Sequence, residues 1–397
     1  LEIAYSQVAL SPTELRKRFL ERCASVPGQS SGVWRYAEFL PEVEPSALVT
    51  FPEGNTPLLG SQVVSDWVAL AGLRLKHEGL NPTGSFKDRG MTVAITQARR
   101  MGATSVACAS TGNTSASLAA YAALAGLPAV VLIPAGQVAL GKLTQTTAFG
   151  ARTLAVAGDF DTCLTLLQEA ARQTGLYVVN SVNPYRIEGQ KTMVFELLQQ
   201  LDWEPPDWIA LPAGNLGNTA ALGKALDELV RAGLIGRTPR ILAVQASGAA
   251  PFARAFADDF RVRHTVRAET VATAIRIGRP ASWNRAVRAI RSSRGAVVAV
   301  EDAEILEAKA VVDSAGIGCE PASAAAVAGL RRAVRQGLVQ QSERAVAVLT
   351  GHILKDPETV AWYHNEYPAA PRRNRIVEVR PALADVLRAI EHQARPT

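Results

Sequence analysis

The chain has 397 residues, 48% of them hydrophobic and 20% charged, which provides for two or three compact units with sizeable cores in a globular, enzyme-sized protein. Its 42 basic and 36 acidic residues leave a net charge of +6, but the arginines are spread along the chain with no basic run and no interleaved aromatics. No nucleic-acid partner is therefore expected, only some affinity for anionic small molecules. Cys23, Cys108, Cys163 and Cys319 lie far apart without metal-ligand spacing, and no stretch has the length of a membrane span. The expectation is reduced thiols in the cytoplasm, no metal and no membrane.

Residues 13–23 have a helical pattern, followed by a Gly/Ser turn at 27–32 and a proline-bounded lead-in to residue 45. A polar turn at 53–58 and a short strand at 73–76 come next. From 91 to about 180 helices and apolar runs alternate: helix 91–101, strand 105–109, a helix to 125, strand 129–133, helix 140–149, strand 152–156, helix 160–174 and strand 177–179. A second alternation runs from 189 to about 354, with helix 190–200, strand 208–211, a helix to 231 and strand 241–245. It continues with strand 296–300, helices 303–315 and 322–336, and strand 345–349. Such alternation predicts parallel sheets with crossover helices. The tail from 371 begins as an arginine-rich loop and is predicted to form a strand at 376–379 and a closing helix.

The chemistry centres on KHEGLNPTGSFKDR, residues 76–89. Asn81 to Ser85 are turn and cap formers, and an apolar-periodic run follows from Met91, so Lys87 falls in the first turn of a helix. The helix dipole disfavours an ammonium there. Together with partial burial beside Phe86, that field lowers the pKa toward the neutral amine a Schiff base requires. The chain has eight lysines, so few other positions are open to an aldehyde cofactor. Alone, Lys87 would read as a solvated lysine on an amphipathic helix; the motifs at other strand ends argue for chemistry.

Gly214, Asn215, Leu216, Gly217 and Asn218 lie between an apolar strand and a helix, where backbone N–H groups and the helix dipole converge on an anion. This is neither a dinucleotide fingerprint nor a P-loop, and an ordinary tight turn has the same pattern. Ser110, Thr111, Gly112, Asn113, Thr114 and Ser115 offer more hydrogen-bonding groups than a helix cap uses. Asn180, Ser181, Asn183 and Arg186 follow a strand, the guanidinium being suited to bidentate phosphate binding. Thr350 ends another strand, at the usual ligand crevice of an open sheet. Glu320 reads equally as a neighbour of this crevice or as a plain helix-start residue, and His352 as a loop residue.

NPTGSFKDRG, STGNTSAS, NSVNPYRIEGQKT, GNLGN, TVATAIRIGRPASW, CEPASAA and LTGHILKDP occur in this order between about residues 53 and 357. The series resembles that of the threonine synthases, a family of fold-type II enzymes that use pyridoxal 5'-phosphate. TGSFKDRG and GNLGN distinguish it from the related dehydratases. The resemblance implies an α/β fold like that of tryptophan synthase β, with two open-sheet domains, the smaller inserted in the larger. The large cofactor-binding domain would comprise 1–90 and 180–370, the small mobile domain 91–179 and a tail 371–397.

It further implies that Lys87 is the catalytic lysine and holds the cofactor, that Gly214, Asn215, Leu216, Gly217 and Asn218 hold its phosphate, that Asn113 meets the ring 3'-oxygen and that Thr350 meets the pyridine nitrogen. Ser110, Thr111, Asn180, Ser181 and Arg186 would meet substrate carboxylate and phosphate. The implied reaction takes O-phospho-L-homoserine and water to L-threonine and phosphate, the last step of threonine biosynthesis, in a cytoplasmic homodimer. Two departures stand near the site: a glycine in GIGCEPAS where a bulkier residue is expected, and Ile353 where the family often has glycine. The alternatives are another fold-type II lyase, such as a threonine or serine dehydratase, and a non-catalytic cofactor-binding sensor.

Overall fold

A computed structural model describes residues 2–5, 8–24, 31–136 and 140–393, so most of the turn expected at 27–32 lies outside the described residues. The chain divides into a unit of Leu1–Asp356 and a unit of Pro357–Thr397. In the first unit the strands are β1 (Leu58–Leu59), β2 (Gly72–His77), β3 (Val106–Ala109), β4 (Ala129–Pro134), β5 (Arg152–Val156), β6 (Tyr177–Val178), β7 (Trp208–Pro212), β8 (Arg240–Ala246), β9 (Ala296–Val300) and β10 (Arg344–Leu349). They form a six-stranded sheet, ordered β1-β2-β10-β7-β8-β9, and a four-stranded sheet, ordered β5-β4-β3-β6. Only β1 runs antiparallel to its neighbour among the described pairings. The molecule is thus an α/β protein with two open sheets.

The helices are α1 (Pro12–Ala24), α2 (Gln62–Val68), α3 (Lys87–Arg100), α4 (Asn113–Ala125), α5 (Leu140–Ala148), α6 (Phe160–Thr174), α7 (Pro184–Gln200), α8 (Gly217–Arg231), α9 (Pro251–Phe256), α10 (Trp283–Ser292), α11 (Asp302–Ser314) and α12 (Pro321–Arg335). The strand sequences distribute side chains to both faces of the large sheet with period two. Ile209, Leu211, Val346 and Val348 pack with α1, α7, α8 and α10. Trp208, Ala210, Ala345 and Ala347 pack with α2, α11 and α12 on the other face. Burial on both faces explains why these strands read as continuous apolar runs. The small sheet is covered likewise, by α3, α4 and α5 on one face and α6 on the other.

The strand order creates two switch points. In the large sheet β10 returns between β2 and β7; in the small sheet β6 lies on the opposite side of β3 from β4. At such reversals the loops leave in opposite directions and open a crevice beyond the strands' carboxyl ends.

The unit Pro357–Thr397 holds α13 (Pro357–Asn365) and α14 (Leu383–Gln393). The strand expected at 376–379 is not formed, and Ile376 is 91% exposed. A short apolar run gains strand geometry only from a ladder partner, which it lacks among the described residues. Helices α9 and α10 fall in a segment, 246–295, for which the sequence pattern offered no element.

Candidate active site

Lys87 is the first residue of α3, as the turn chemistry predicts. Gly84 supplies a φ of +84°, which a side chain rarely adopts, and Asp88 closes the turn by accepting the Thr83 N–H at 2.7 Å and its hydroxyl at 2.6 Å. The Phe86 N–H donates to the Thr350 carbonyl at 3.0 Å, and Ser85 bridges to Gly351. The loop after β2 is thereby tied to the end of β10. Lys87 is half-buried as a residue, and its amine lies 4.1 Å from the centroid of the Phe86 ring. Burial first, and then the Arg186 guanidinium, pull it down to about 7, with Glu320 opposing. A neutral amine is therefore available near neutral pH.

Arg186 reaches this neighbourhood because α3 and α7 cross in backbone contact. A Cβ on Gly189 would fall 1.8 Å from the Arg89 carbonyl oxygen, and one on Gly90 2.7 Å from the Arg186 carbonyl oxygen. Beneath the crossing lies a buried ion network. Arg89 donates to Glu78 at 2.6 Å and to Glu196 at 2.8 Å, and Lys76 donates to Glu196 at 2.7 Å. It joins β2, α3 and α7, and so fixes the base of the lysine loop. Arg186 itself is buried, donates to the Val179 carbonyl at 3.1 Å, and keeps its Nε without a partner among the described residues.

The loop after β7 turns at Leu216, whose φ is +63°, and enters α8 at Gly217. Gly214 lies under Ile275, where a Cβ would come within 2.8 Å of the backbone, so only glycine fits. Both side-chain polar atoms of Asn218, and the Thr219 hydroxyl, are buried without hydrogen-bond partners among the described residues. Two of these, Asn218 Nδ2 and the Thr219 hydroxyl, are donors left free at a helix N-terminus, which makes a ready anion cradle, since buried polar groups are otherwise almost always paired. The donor set fits a phosphate group.

Most of the other predicted residues hydrogen-bond to neighbouring segments and so tie the strand ends together. Asn180 accepts the Ala109 N–H at 3.0 Å and donates to the Ala109 carbonyl at 2.9 Å, extending the β3–β6 pairing with its side chain. Asn215 donates to the Ser181 hydroxyl at 2.9 Å and accepts the Ala281 N–H at 2.7 Å. It joins the loop after β7 to the loop after β6 and to the 270–283 segment. Ser110 accepts the Gly112 N–H at 3.4 Å and Thr111 stands half-buried beside it. Asn113 opens α4 and donates to Glu320 at 2.9 Å. Thr350, buried, donates to Glu320 at 3.2 Å and lies 3.1 Å from the Ser323 hydroxyl.

Ser323 and Thr219 had no role assigned from sequence, and Glu320, readable either as a neighbour of the Thr350 crevice or as a helix-start residue, is the former. For Glu320 the signal is tertiary, because its bond to Asn113 spans 207 residues of chain. The two departures near the site meet each other: a Cβ on Gly318 would touch Ile353 at 3.2–3.4 Å, so the small residue in one segment makes room for the larger one in the other.

Residues 49–351 match the family model described as "Pyridoxal-phosphate dependent enzyme". The threonine synthase of Methanosarcina acetivorans is 49% identical over 331 residues, 83% of this chain and 81% of that protein. The chain belongs to the threonine synthase family. Its cofactor is pyridoxal phosphate. The solved structure of Escherichia coli threonine synthase superposes with a TM-score of 0.70 at 21% identity, covering 94% of this chain and 86% of that one. A fungal L-serine ammonia-lyase from Rhizomucor miehei gives 0.69 at 22%, covering 79% and 99%. The fold is shared by both kinds of enzyme, so the close sequence relatives rather than the architecture place this chain among threonine synthases.

Proposed function

We propose that this site converts O-phospho-L-homoserine and water to L-threonine and phosphate, a carbon–oxygen lyase reaction, with Lys87 as the catalytic lysine. The observation that carries the reading is an amine pulled down to about 7 by burial and by the buried Arg186 guanidinium, together with orphaned donors, Asn218 Nδ2 and the Thr219 hydroxyl, at the α8 N-terminus. Asn218 and the backbone of Gly214 to Gly217 hold the cofactor phosphate, and Asn113 and Thr350 face its ring. Bound pyridoxal phosphate supplies an electron sink for carbanions next to the amino group.

Lys87, about half neutral at pH 7, takes a proton from the substrate carbon bearing that amino group and a second from the β-carbon next to it, whose electrons expel the γ-phosphate; a proton returned to the γ-carbon and water added at the β-carbon then give L-threonine. Arg186 holds the departing phosphate, as the delocalised fork of a guanidinium favours. Ser110, Thr111 and Ser181 orient the substrate, while Asn180 holds the floor between β3 and β6 that positions them. Two anion sites in one crevice suit a phosphorylated substrate next to a phosphorylated cofactor.

The domain division proposed with this reading places residues 91–179 as a small domain that closes on the large one, 1–90 and 180–370, with 371–397 as a tail. Asn113–Glu320 and Gln145–Lys355 bond across between the small sheet's helices and the segments flanking β10, at 2.9 and 2.5 Å. A homodimer in the cytoplasm belongs to the same reading, its subunit number being checked by analytical ultracentrifugation. No helix among the described residues is long and apolar enough to cross a membrane, and none of their acidic, His and Cys groups forms a metal cluster.

The test is the visible absorption of the protein with pyridoxal phosphate, before and after O-phospho-L-homoserine, with phosphate release followed in parallel. The expected result is a band that changes with substrate, and phosphate released by the wild type but not by Lys87→Ala. Ammonia released from serine or threonine, without phosphate release from O-phospho-L-homoserine, would identify a dehydratase instead. A band with no turnover would identify a sensor.

A further inference from the structure

Glu320 precedes α12, a place where an acidic side chain ordinarily caps the helix. Its carboxylate makes no such bond. It turns away from the helix, 5% exposed, and accepts Asn113 Nδ2 on Oε2 at 2.9 Å and the Thr350 hydroxyl on Oε1 at 3.2 Å. Space for it is made at Gly351, where a Cβ would lie 2.4 Å from the carboxyl carbon. The Ser323 hydroxyl receives the Gly351 N–H at 2.9 Å and stands 3.1 Å from Thr350, which steadies the same hydroxyl from its other side.

The two side chains that Glu320 holds come from different sheets. Asn113 opens the helix after β3, and Thr350 ends β10. An ionised carboxylate only accepts hydrogen bonds, so it selects the amide's N–H side and leaves the second Nδ2 hydrogen and the carbonyl for the crevice. A helix cap would need none of this geometry, and a purely structural carboxylate would not pair with one residue from each wall of the site.

We infer that Glu320 is the positioning residue of the cofactor site, orienting Asn113 and Thr350 toward one ring across the space between the sheets. The inference rests on the pyridoxal-phosphate reading above. Apart from opposing the fall in the Lys87 pKa, Glu320 acts through the two residues it holds.

The test titrates full-length apoprotein with pyridoxal phosphate, reading the dissociation constant and the position of the visible band, for wild type, Glu320→Gln, Glu320→Ala, Asn113→Ala and the Asn113→Ala/Glu320→Gln pair. Glu320→Ala is expected to weaken binding about tenfold to a hundredfold, the span of one hydrogen bond to a charged group, and to shift the band. Glu320→Gln keeps the shape and one acceptor and recovers part of the loss. If the alanine variant does not fold, the glutamine variant, still weaker than wild type and shifted in its band, carries the comparison.

In the pair, the two losses are expected to combine to clearly less than their product, because one acts through the other. Binding within about twofold of wild type with an unshifted band in both Glu320 variants would overturn the inference, as would a lowered melting temperature with unchanged binding, or losses that multiply in full. Failure of the wild type to bind the cofactor at all would instead overturn the functional reading beneath it.

Discussion

Gly189→Ala adds one methyl group where α7 crosses α3. The built Cβ lies 1.8 Å from the Arg89 carbonyl oxygen and 2.6 Å from its carbon, whereas ordinary contact begins at 3.4 Å. Both obstacles are backbone, so neither yields by a rotamer change, and the helices must part by about 1.6 Å, the difference of those distances. Overpacking of this kind costs about 1–3 kcal/mol.

The parting also stretches the 2.8 Å bond from Arg89 on α3 to Glu196 on α7, within a network in which every side chain is buried. Weakening a buried pair adds to the loss, giving about 3–5 kcal/mol in all. With an unfolding entropy of about 2.1 cal/mol/K per residue, the thermal midpoint followed by circular dichroism should fall by roughly 4–6 °C. Arg186, one turn before Gly189, moves away from Lys87, so O-phospho-L-homoserine turnover should fall even well below the new midpoint. A variant with wild-type midpoint and wild-type turnover would refute the argument that the glycine contact sets the approach of Arg186 to Lys87.

Three further outcomes follow from single observations. With a pKa of about 7, roughly half of the Lys87 amine is neutral at pH 7, against about one part in 3,000 for an ordinary lysine near 10.5, so an amine-selective reagent should label Lys87 of the apoprotein first. Peptide mapping that finds no preferred lysine would contradict this. Thr219→Val removes a buried hydroxyl without a partner, and should raise apoprotein stability by about 1 kcal/mol while weakening cofactor binding several-fold. Loss of stability would mean that the hydroxyl is satisfied in the apoprotein.

Burial raises the Glu196 carboxyl, but Arg89 and Lys76 overcome it and hold it well below its unfolded value of 4.5. A depressed carboxylate contributes stability that is present above the unfolded pKa and is lost as pH falls through the folded one. Melting temperature should therefore decline below about pH 4.5, and decline less steeply in Glu196→Gln, which itself should cost about 3–5 kcal/mol near neutral pH. Parallel acid profiles for the two proteins would show that Glu196 does not supply the linkage.

The sequence alone determined what is settled within a few residues. The start of α3 at Lys87 follows from turn formers over residues 81–85 and the Thr83–Asp88 bonds, and the alternation of the parallel strands follows from their apolar runs. The polar clusters at strand ends were legible for the same reason: hydrogen-bonding residues between an apolar run and a helix have few structural uses. The strand expected at 376–379 failed because its stability depends on a partner that local pattern does not reveal.

Only the tertiary structure decided which of those clusters are joined to one another and which partner each side chain has. Because β10 returns between β2 and β7, Thr350 lies beside the lysine loop, and α12 brings Glu320 to both Thr350 and Asn113. Asn180 and Asn215, which look like ligand residues in sequence, are engaged by neighbouring loops through pairings 71 and 66 residues apart. Side-chain type is written in the sequence; its partner is set by strand order and by how closely two helices can approach, which here depends on Gly90 and Gly189 lying at one crossing.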